Sequence, residues 1–265
     1  MHDVAILGCG TMGEAILTGL QRASQLTVRA TVKRPIRADA LRAAHGIEVG
    51  HDNAAAAAAA KVVIVAVKPQ KARSILDRTE MAEATRDTLV VSICAGVRLD
   101  QLRGWLPHAR LIRAMPNTPA TIGAGMTVLS PDDGATEEDI ALARHVFETV
   151  GRVRILDETH LDAVTALSGS GPAFACVIIE ALADGGVMMG LPRDVAIELA
   201  AQTVRGAGEL VLQTGTHPAA LKDDVTTPAG CTIAGLLTME DGRIRSTLAR
   251  TIQEATRVAS GLGQD

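Results

Sequence analysis

The first part of the chain, from residue 3 to about residue 156, alternates short apolar runs with stretches of helical spacing. The apolar runs are rich in Val, Ile and Leu and have the length of strands. This alternation is typical of a parallel sheet whose strands are joined by crossover helices. The predicted strands are residues 4–7, 26–32, 47–49, 62–67, 89–93 and 111–114, followed by 127–129 and 153–156.

The segments between these strands carry helix signals. Residues 54–60 are a run of alanine, the strongest helix former, directly before a strand, and we predict a packed crossover helix there. Thr136 predicts a helix N-cap because the acidic residues 137–139 follow it. Strands and helices together resemble a Rossmann-type, mostly parallel sheet with extra edge strands.

Beyond about residue 160 the strand-like runs disappear, and helices are interrupted by Gly and Pro near residues 190–192, 214–218 and 241–242. The predicted fold is therefore an α/β N-terminal domain, residues 1–157, followed by an all-α domain, residues 158–265. Many small residues in these helices allow close helix approach, either in a homodimer or within one monomer.

Composition narrows the class of protein. A net charge of -4 and 1% aromatic residues argue against a nucleic-acid partner. The four cysteines are scattered, which predicts reduced thiols and no metal site. The apolar runs are far shorter than the ~20 residues of a membrane span, and a strand pattern begins at once without a signal peptide. We expect a cytoplasmic protein.

A glycine motif follows the first predicted strand and opens a helix, the context of a dinucleotide fingerprint. Gly8 allows the tight turn, Gly10 lets the backbone approach a pyrophosphate, and Gly13 lets helix and strand pack. A plain turn is the weaker alternative. The predicted cofactor contacts in this motif are Gly8, Gly10, Thr11, Met12 and Gly13.

Basic residues at two predicted strand ends bear on the choice of cofactor. An NAD-selective site has an acidic residue after the second strand, whereas this chain has Lys33 and Arg34. These cations favour NADPH, with NADH also possible, although two solvated loop cations are the alternative. Val67, Lys68 and Pro69 end the fourth predicted strand and either border the cofactor or merely terminate the strand.

Three further segments, residues 115–119, 168–172 and 226–232, break the regular pattern and are candidate ligand loops. We assign Asn117 to the cofactor and Ser170 to the substrate. Thr227 suits an N-cap and Pro228 the first helical position, which would leave amides at a helix start to bind a small carboxylate.

Thr232 falls one turn into that predicted helix. Its hydroxyl would hydrogen-bond a ring nitrogen next to the carbon that accepts hydride, although an ordinary helical threonine is the alternative. Residues 226–232 contain no His, Lys or Glu. The site is therefore expected mainly to orient its reactants, with Thr232 or water relaying the proton.

Together these motifs closely resemble the pyrroline-5-carboxylate reductase family over essentially the full chain. The resemblance implies reduction of a small cyclic imino acid, 1-pyrroline-5-carboxylate, to L-proline with NAD(P)H. It also implies an interleaved homodimer through the helical domain, sometimes assembled into rings. Besides the glycine motif, it rests on residues 66–69, 115–119, 165–173, 183–187, 189–192, 217–218, 221–223 and 225–232.

The resemblance also implies site residues. Thr232 would hydrogen-bond the imine nitrogen, amides of Gly230, Cys231 and Thr232 would hold the carboxylate, and Asn53 would touch the adenosine side. The chain departs from the family pattern at Ala229, where glycine is common, and at Cys231. If residue 229 needs a positive φ, alanine would be strained there.

Two other functions compete with this interpretation. A 3-hydroxyacid dehydrogenase of the β-hydroxyisobutyrate type needs a catalytic lysine on the helix after a glycine-rich turn, yet no Lys or Arg lies between Thr165 and Pro192. A non-catalytic NADP-binding sensor would have no need of a carboxylate site with a hydroxyl beside it.

Overall fold

The computed structural model describes residues 2–23 and 26–262. The chain forms two compact units. The first unit comprises the residues up to Ser170 together with those from Glu254 onward, and the second comprises Gly171–Gln253. The division into domains 1–157 and 158–265 stays a prediction.

Within the described residues, the first unit contains an eight-stranded sheet of order β3-β2-β1-β4-β5-β6-β7-β8. All neighbouring strands are parallel except β6 and β7. The mostly parallel Rossmann-type sheet with extra edge strands is thus confirmed. The strands are β1 (His2–Leu7), β2 (Val28–Thr31), β3 (Glu48–Gly50), β4 (Ala60–Val65), β5 (Leu89–Ser92), β6 (Arg110–Met115), β7 (Gly125–Pro131) and β8 (Gly151–Ile155).

Helices connect and flank these strands. The alanine run forms a helix as predicted, although the helix ends at Ala58 and Ala60 already belongs to β4. The helix is capped by Asp52, whose Oδ1 accepts the amide of Ala55 at 3.0 Å. Thr136 is an N-cap, as predicted, and its hydroxyl oxygen accepts the amide of Asp139 at 3.2 Å. The helices are α1 (Thr11–Ala23), α2 (Pro35–His45), α3 (Asn53–Ala58), α4 (Pro69–Leu76), α5 (Thr79–Ala84), α6 (Leu99–Trp105), α7 (Glu137–Glu148) and α8 (Leu161–Val164).

The buried apolar residues form one large cluster on each face of the sheet. Successive side chains of a strand point to opposite faces, so Ile6 and Leu7 of β1 belong to different clusters. Leu17 of α1 belongs to the Ile6 cluster, and Leu76 of α4 belongs to the Leu7 cluster. Helix layers on both faces leave the carboxyl ends of the strands as the open edge.

The last turn that the structure describes, residues 260–262, packs against the loop after β5. Gly96 has φ +77, and a Cβ there would lie 2.6 Å from the backbone carbonyl carbon of Leu262. Any other residue at this position would clash and be strained.

The second unit is helical, as predicted, and its helices end near the predicted breaks. Its buried cluster consists of Ala183, Ala196 and Ala200, whereas large apolar side chains such as Val177 and Leu199 are exposed by 64% and 53% in the single chain. The helices are α9 (Gly171–Met188), α10 (Arg193–Thr214), α11 (Pro218–Asp224), α12 (Cys231–Asp241) and α13 (Ile244–Ala259), the last extending back into the first unit.

The prediction of a ligand loop at residues 168–172 is wrong, because this segment is helical. A π-helical turn, Thr165–Gly169, leads directly into α9. The amide of Ser170 donates to the carbonyl of Thr165 at 2.9 Å. Gly169 lies next to Met115, since a Cβ there would lie 2.7 Å from Cε of Met115.

This segment belongs to a longer helical stretch, Glu158–Met188. By length and composition alone the stretch meets the criteria for a membrane span, and 11% of its most apolar window is buried in the single chain. No apolar run of that length stood out from the sequence, because the polar residues Thr165, Ser168 and Ser170 interrupt it.

Candidate active site

The glycine motif forms the turn between β1 and α1. Gly8 has φ +81, and its amide donates to the carbonyl of Thr31 at 3.0 Å. A Cβ on Gly8 would lie 2.5 Å from Cγ1 of Val67, and one on Gly13 would lie 3.1 Å from Cγ2 of Ile6. Both glycines therefore have the turn and packing roles predicted for them. Gly10 is exposed at the turn.

A cleft of about 890 Å³ opens at the carboxyl ends of β1, β2 and β4. This is the edge at which open α/β sheets bind ligands. The structure brings most of the predicted cofactor residues together there: Gly8, Gly10, Thr11, Lys33, Arg34, Val67 and Lys68. Met12 does not line the cleft, and its side chain packs against the core.

A smaller pocket of about 340 Å³ lies beside this cleft, and Asn53, the predicted adenosine contact, lines it. The hydroxyl of Thr31 donates to Oδ1 of Asn53 at 2.6 Å and accepts the amide of Gly8 at 3.2 Å. Thr31 is 2% exposed. It therefore fixes the glycine turn and Asn53 to the same point of the sheet, a role that the sequence analysis missed.

The cleft is strongly basic. Arg37 and Lys71 line it besides the predicted Lys33, Arg34 and Lys68. Among the described residues, Arg37 is the cleft cation that has a carboxylate partner, since its Nη2 donates to Oε2 of Glu14 at 2.5 Å. This hydrogen bond is the main cause that holds the pKa of Glu14 below its usual value. Arg37 and Lys71 were not predicted from the sequence. Each lies three residues, about one helical turn, after a predicted cation, and this spacing could have identified them.

Residues 67–69 depart from the prediction in one respect. Strand β4 ends at Val65 rather than at Val67, because Lys68 is the N-cap of α4 with extended backbone, φ -61 and ψ 136. The chain therefore turns away from the sheet earlier than its apolar run suggests. Pro69 begins α4 and lines a separate pocket of about 470 Å³ with Trp105.

Asn117, assigned to the cofactor from the sequence, connects backbone segments of the first unit. Its Nδ2 donates to the carbonyl and hydroxyl oxygens of Ser168, both at 3.2 Å, and its Oδ1 accepts the amide of Met126 at 2.8 Å. These bonds occupy its amide group within the fold.

Cys9 lies inside the glycine motif but is 1% exposed. Burial raises the pKa of its thiol to about 12. The thiol is therefore protonated at neutral pH, as expected for an inert packing residue.

The third candidate loop, residues 226–232, contains a turn rather than a helix start at Pro228. The amide of Gly230 donates to the carbonyl of Thr227 at 3.1 Å, and Ala229 between them has φ +57. The predicted N-cap at Thr227 is wrong, because the left-handed backbone of Ala229 interrupts the helical path. Helix α12 begins at Cys231 with Gly230 as its N-cap.

This arrangement leaves the amides of Cys231 and Thr232 in the first turn of α12, where N–H groups have no helical partner. Thr232 is half-buried. A threonine inside a helix can bond the carbonyl four residues earlier: in the same helix, the hydroxyl of Thr238 donates to the carbonyl of Ala234 at 3.2 Å. Thr232 is too close to the helix start to bond a helical carbonyl one turn behind it. The hydroxyl of Thr232 has no hydrogen-bond partner among the residues that the structure describes, so it is available for a ligand.

A Rossmann-type sheet with a glycine turn and a basic cleft, followed by a helical unit, defines an oxidoreductase that uses a nicotinamide dinucleotide. Comparison with known families agrees with this class. The model for NADP oxidoreductase, coenzyme F420-dependent, matches residues 3–96. The model for pyrroline-5-carboxylate reductase dimerisation matches residues 158–262.

Individual relatives match over the whole chain. Pyrroline-5-carboxylate reductase of Schizosaccharomyces pombe is 45% identical and aligns over 100% of both proteins. The structure of the Coxiella burnetii enzyme has a TM-score of 0.93 at 30% identity and covers 100% of this chain and 99% of its own. The Plasmodium falciparum enzyme with NADP bound has a TM-score of 0.87 at 26% identity, covering 99% and 98%. The chain therefore belongs to the pyrroline-5-carboxylate reductase family and is an NAD(P)H-dependent imine reductase.

Proposed function

We propose that this chain reduces 1-pyrroline-5-carboxylate to L-proline, the last step of proline biosynthesis, with NADPH as the preferred cofactor. The observation that carries the proposal is a glycine turn opening into a basic cleft, in a chain that aligns with reductases of this family from end to end. NADPH supplies the hydride when bound.

The cofactor proposal rests on the charge of the cleft. Lys33, Arg34, Lys68 and Lys71 have no carboxylate partner among the residues described, so their charge remains available to phosphates. A 2′-phosphate adds two negative charges that these cations attract. The proposed cofactor contacts are Gly8, Gly10, Thr11, Lys33, Arg34, Val67 and Lys68, which line the cleft, and Asn53, which lines the pocket beside it. Met12, Gly13, Pro69 and Asn117 are proposed to contribute backbone atoms, because the side chains of Met12 and Asn117 are engaged within the fold. NADH remains a second cofactor.

The substrate proposal concerns the start of α12. Free amides at Cys231 and Thr232, together with the helix dipole, favour a carboxylate there without an arginine. The amide of Gly230 already donates to Thr227, so its contribution is to shape the turn. Ser170 is a further proposed substrate contact.

The chemistry requires orientation more than a strong acid. Hydride adds to the imine carbon, the C=N π pair moves to nitrogen, and a proton must reach that nitrogen before or during the transfer. The Thr232 hydroxyl would hydrogen-bond the nitrogen and, with water, relay the proton. A threonine hydroxyl is too weak an acid to do more alone.

The apolar outer faces of the helical unit are proposed to pack against a second copy of the chain. This surface falls within residues 158–262, which match the dimerisation model. The exposed side chains, including Val177 at 64%, are better covered by protein than by lipid because the charged residues Glu180 and Asp184 lie in the same helix, α9. Assembly of dimers into rings, a cytoplasmic location, and the absence of membrane or nucleic-acid partners complete the proposal.

Steady-state reduction of chemically prepared 1-pyrroline-5-carboxylate, followed by nicotinamide absorbance with NADPH and with NADH, tests the proposal. We expect turnover with both cofactors and a higher kcat/KM with NADPH. A 3-hydroxyacid offered with NADP serves as the competing substrate. Turnover of the hydroxyacid alone, or cofactor binding without any reduction, would contradict the proposed reaction.

A further inference from the structure

One cation of the cleft differs from the others in being held in place. Arg37 lies in the first turn of α2 and its side chain is 35% exposed. Nη2 donates to Oε2 of Glu14 at 2.5 Å, so the guanidinium is fixed from α1. Lys33 and Arg34, in contrast, are exposed loop residues.

Glu14 is itself fixed at both carboxylate oxygens. Its Oε1 lies 3.2 Å from Nε2 of His45, a side chain that is only 13% exposed. Nδ1 of His45 in turn lies 2.9 Å from Oε1 of Gln21. The anchor for Arg37 is therefore rigid, because two other side chains restrain it.

A guanidinium has five N–H donors in a planar fork and binds a carboxylate along one edge while other donors stay free. Arg37 lines the same cleft as Lys33 and Arg34. The N–H donors of Arg37 that do not bond Glu14 are therefore placed to contact a 2′-phosphate bound by those two cations. Pre-ordering lowers the entropy cost of binding.

We propose that Arg37 is a third cation of the 2′-phosphate site and a determinant of NADPH selectivity, and that Glu14 is its positioning residue. This inference rests on the proposed preference for NADPH. Glu14 acts by geometry, since its own charge opposes an anion.

Calorimetric binding of 2′,5′-ADP and 5′-AMP to the full-length protein tests the proposal, because these probes differ only in the 2′-phosphate. In Arg37→Gln we expect affinity for 2′,5′-ADP to fall about tenfold, with affinity for 5′-AMP changed less than about twofold. Arg86→Gln breaks another arginine–glutamate pair, outside the cleft, and should leave both affinities unchanged.

Two variants separate the position of Glu14 from its charge. Glu14→Ala removes the anchor and should weaken 2′,5′-ADP binding about threefold. Glu14→Gln keeps an acceptor oxygen and should restore wild-type affinity or exceed it. Unchanged 5′-AMP binding in each variant shows that the fold persists.

The outcomes distinguish a failure of this inference from a failure of the proposed preference for NADPH. If wild type binds both probes equally, the proposed NADPH preference itself fails. If wild type prefers 2′,5′-ADP but Arg37→Gln keeps that preference, only the role of Arg37 is overturned. If Glu14→Ala matches wild type, or Glu14→Gln is as weak as Glu14→Ala, the positioning role is overturned.

Discussion

The hydroxyl of Thr31 lies 2.6 Å from Oδ1 of Asn53, joining the end of β2 to the start of α3 behind the glycine turn. In Thr31→Val this bond and the bond from the Gly8 amide to the hydroxyl are lost, whereas the bond from Gly8 to the carbonyl of residue 31 remains. We expect NADPH affinity to fall about fivefold, together with about 1 kcal/mol of unfolding free energy. Thr85→Val, another fully buried threonine, should lose stability alone, because its hydroxyl bonds Met81. Equal effects of both variants on NADPH binding would disprove the specific role of Thr31.

Thr232 provides a direct test of the substrate site. Thr232→Ala should lower kcat by about tenfold to a hundredfold while NADPH binding stays within about twofold, because its hydroxyl is proposed to act on the imine. Thr232→Ser should retain most activity. Thr238→Ala, six residues farther along the same helix, is the control. Unchanged turnover in Thr232→Ala would remove Thr232 from the mechanism.

Ala229 is strained in its turn. Alanine at φ +57 costs about 1 kcal/mol or more, whereas glycine tolerates this region but loses more entropy on folding. We expect Ala229→Gly to raise the unfolding free energy by about 0.5 kcal/mol, measured by urea denaturation. Gly230→Ala should do the opposite, since its Cβ would lie 2.4 Å from Oγ1 of Thr227. A loss of stability in Ala229→Gly would contradict the strain.

The lowered pKa of Asp3 leads us to expect that the free energy of unfolding depends on pH. A hydrogen bond from Lys61, supported by bonds from Thr27, lowers the pKa of Asp3 from 3.8 to about 2. Because the folded pKa is depressed, this contribution is present above about pH 4 and is lost as the pH falls towards 2. Asp3→Asn should cost about 0.5 to 1 kcal/mol at pH 7, because solvent screens this exposed pair, and the difference from wild type should shrink in urea titrations from pH 5 to pH 3. A constant difference would show that the charge is irrelevant.

The buried thiols should resist alkylation. Burial raises the pKa of Cys9 to about 12 and that of Cys94 to about 11. At pH 8 a thiol of pKa 12 is ionised in about one molecule in ten thousand. Mass spectrometry after iodoacetamide treatment should find both residues unmodified in the folded protein and labelled in urea. Rapid labelling of Cys9 without unfolding would contradict the burial argument.

The strands of the sheet could be predicted from the sequence because strands buried on both faces are continuous apolar runs, such as those containing Ile6 and Ile64. The role of Gly8 could be predicted because only glycine accepts that turn, and an adjoining strand and helix identify the motif. Residues 168–172 were misread because Gly169 breaks a helical pattern for a reason, contact with Met115, that lies in another part of the chain.

The roles of Thr31 and Glu14 could not be predicted because each depends on partners brought close by the fold. Asn53 is 22 residues from Thr31, and Arg37 is 23 residues from Glu14. Pro228 misled for a local reason: proline suits both the first position of a helix and the second position of a turn. The positive φ of Ala229 decides for the turn. Alanine itself does not indicate a positive φ, and the glycine common at this position in the family was the available indication.

The contact between Gly96 and Leu262 has a consequence for biosynthesis. On the ribosome, the whole sheet emerges before Leu262 does, so the backbone at Gly96 stays uncovered until the helical segment between them, Gly171–Gln253, has also been translated. The first unit thus reaches its final form only after the second unit has been synthesised. Cleavage of the chain just before Leu262 would leave the nucleotide cleft intact and expose the backbone at Gly96 to solvent.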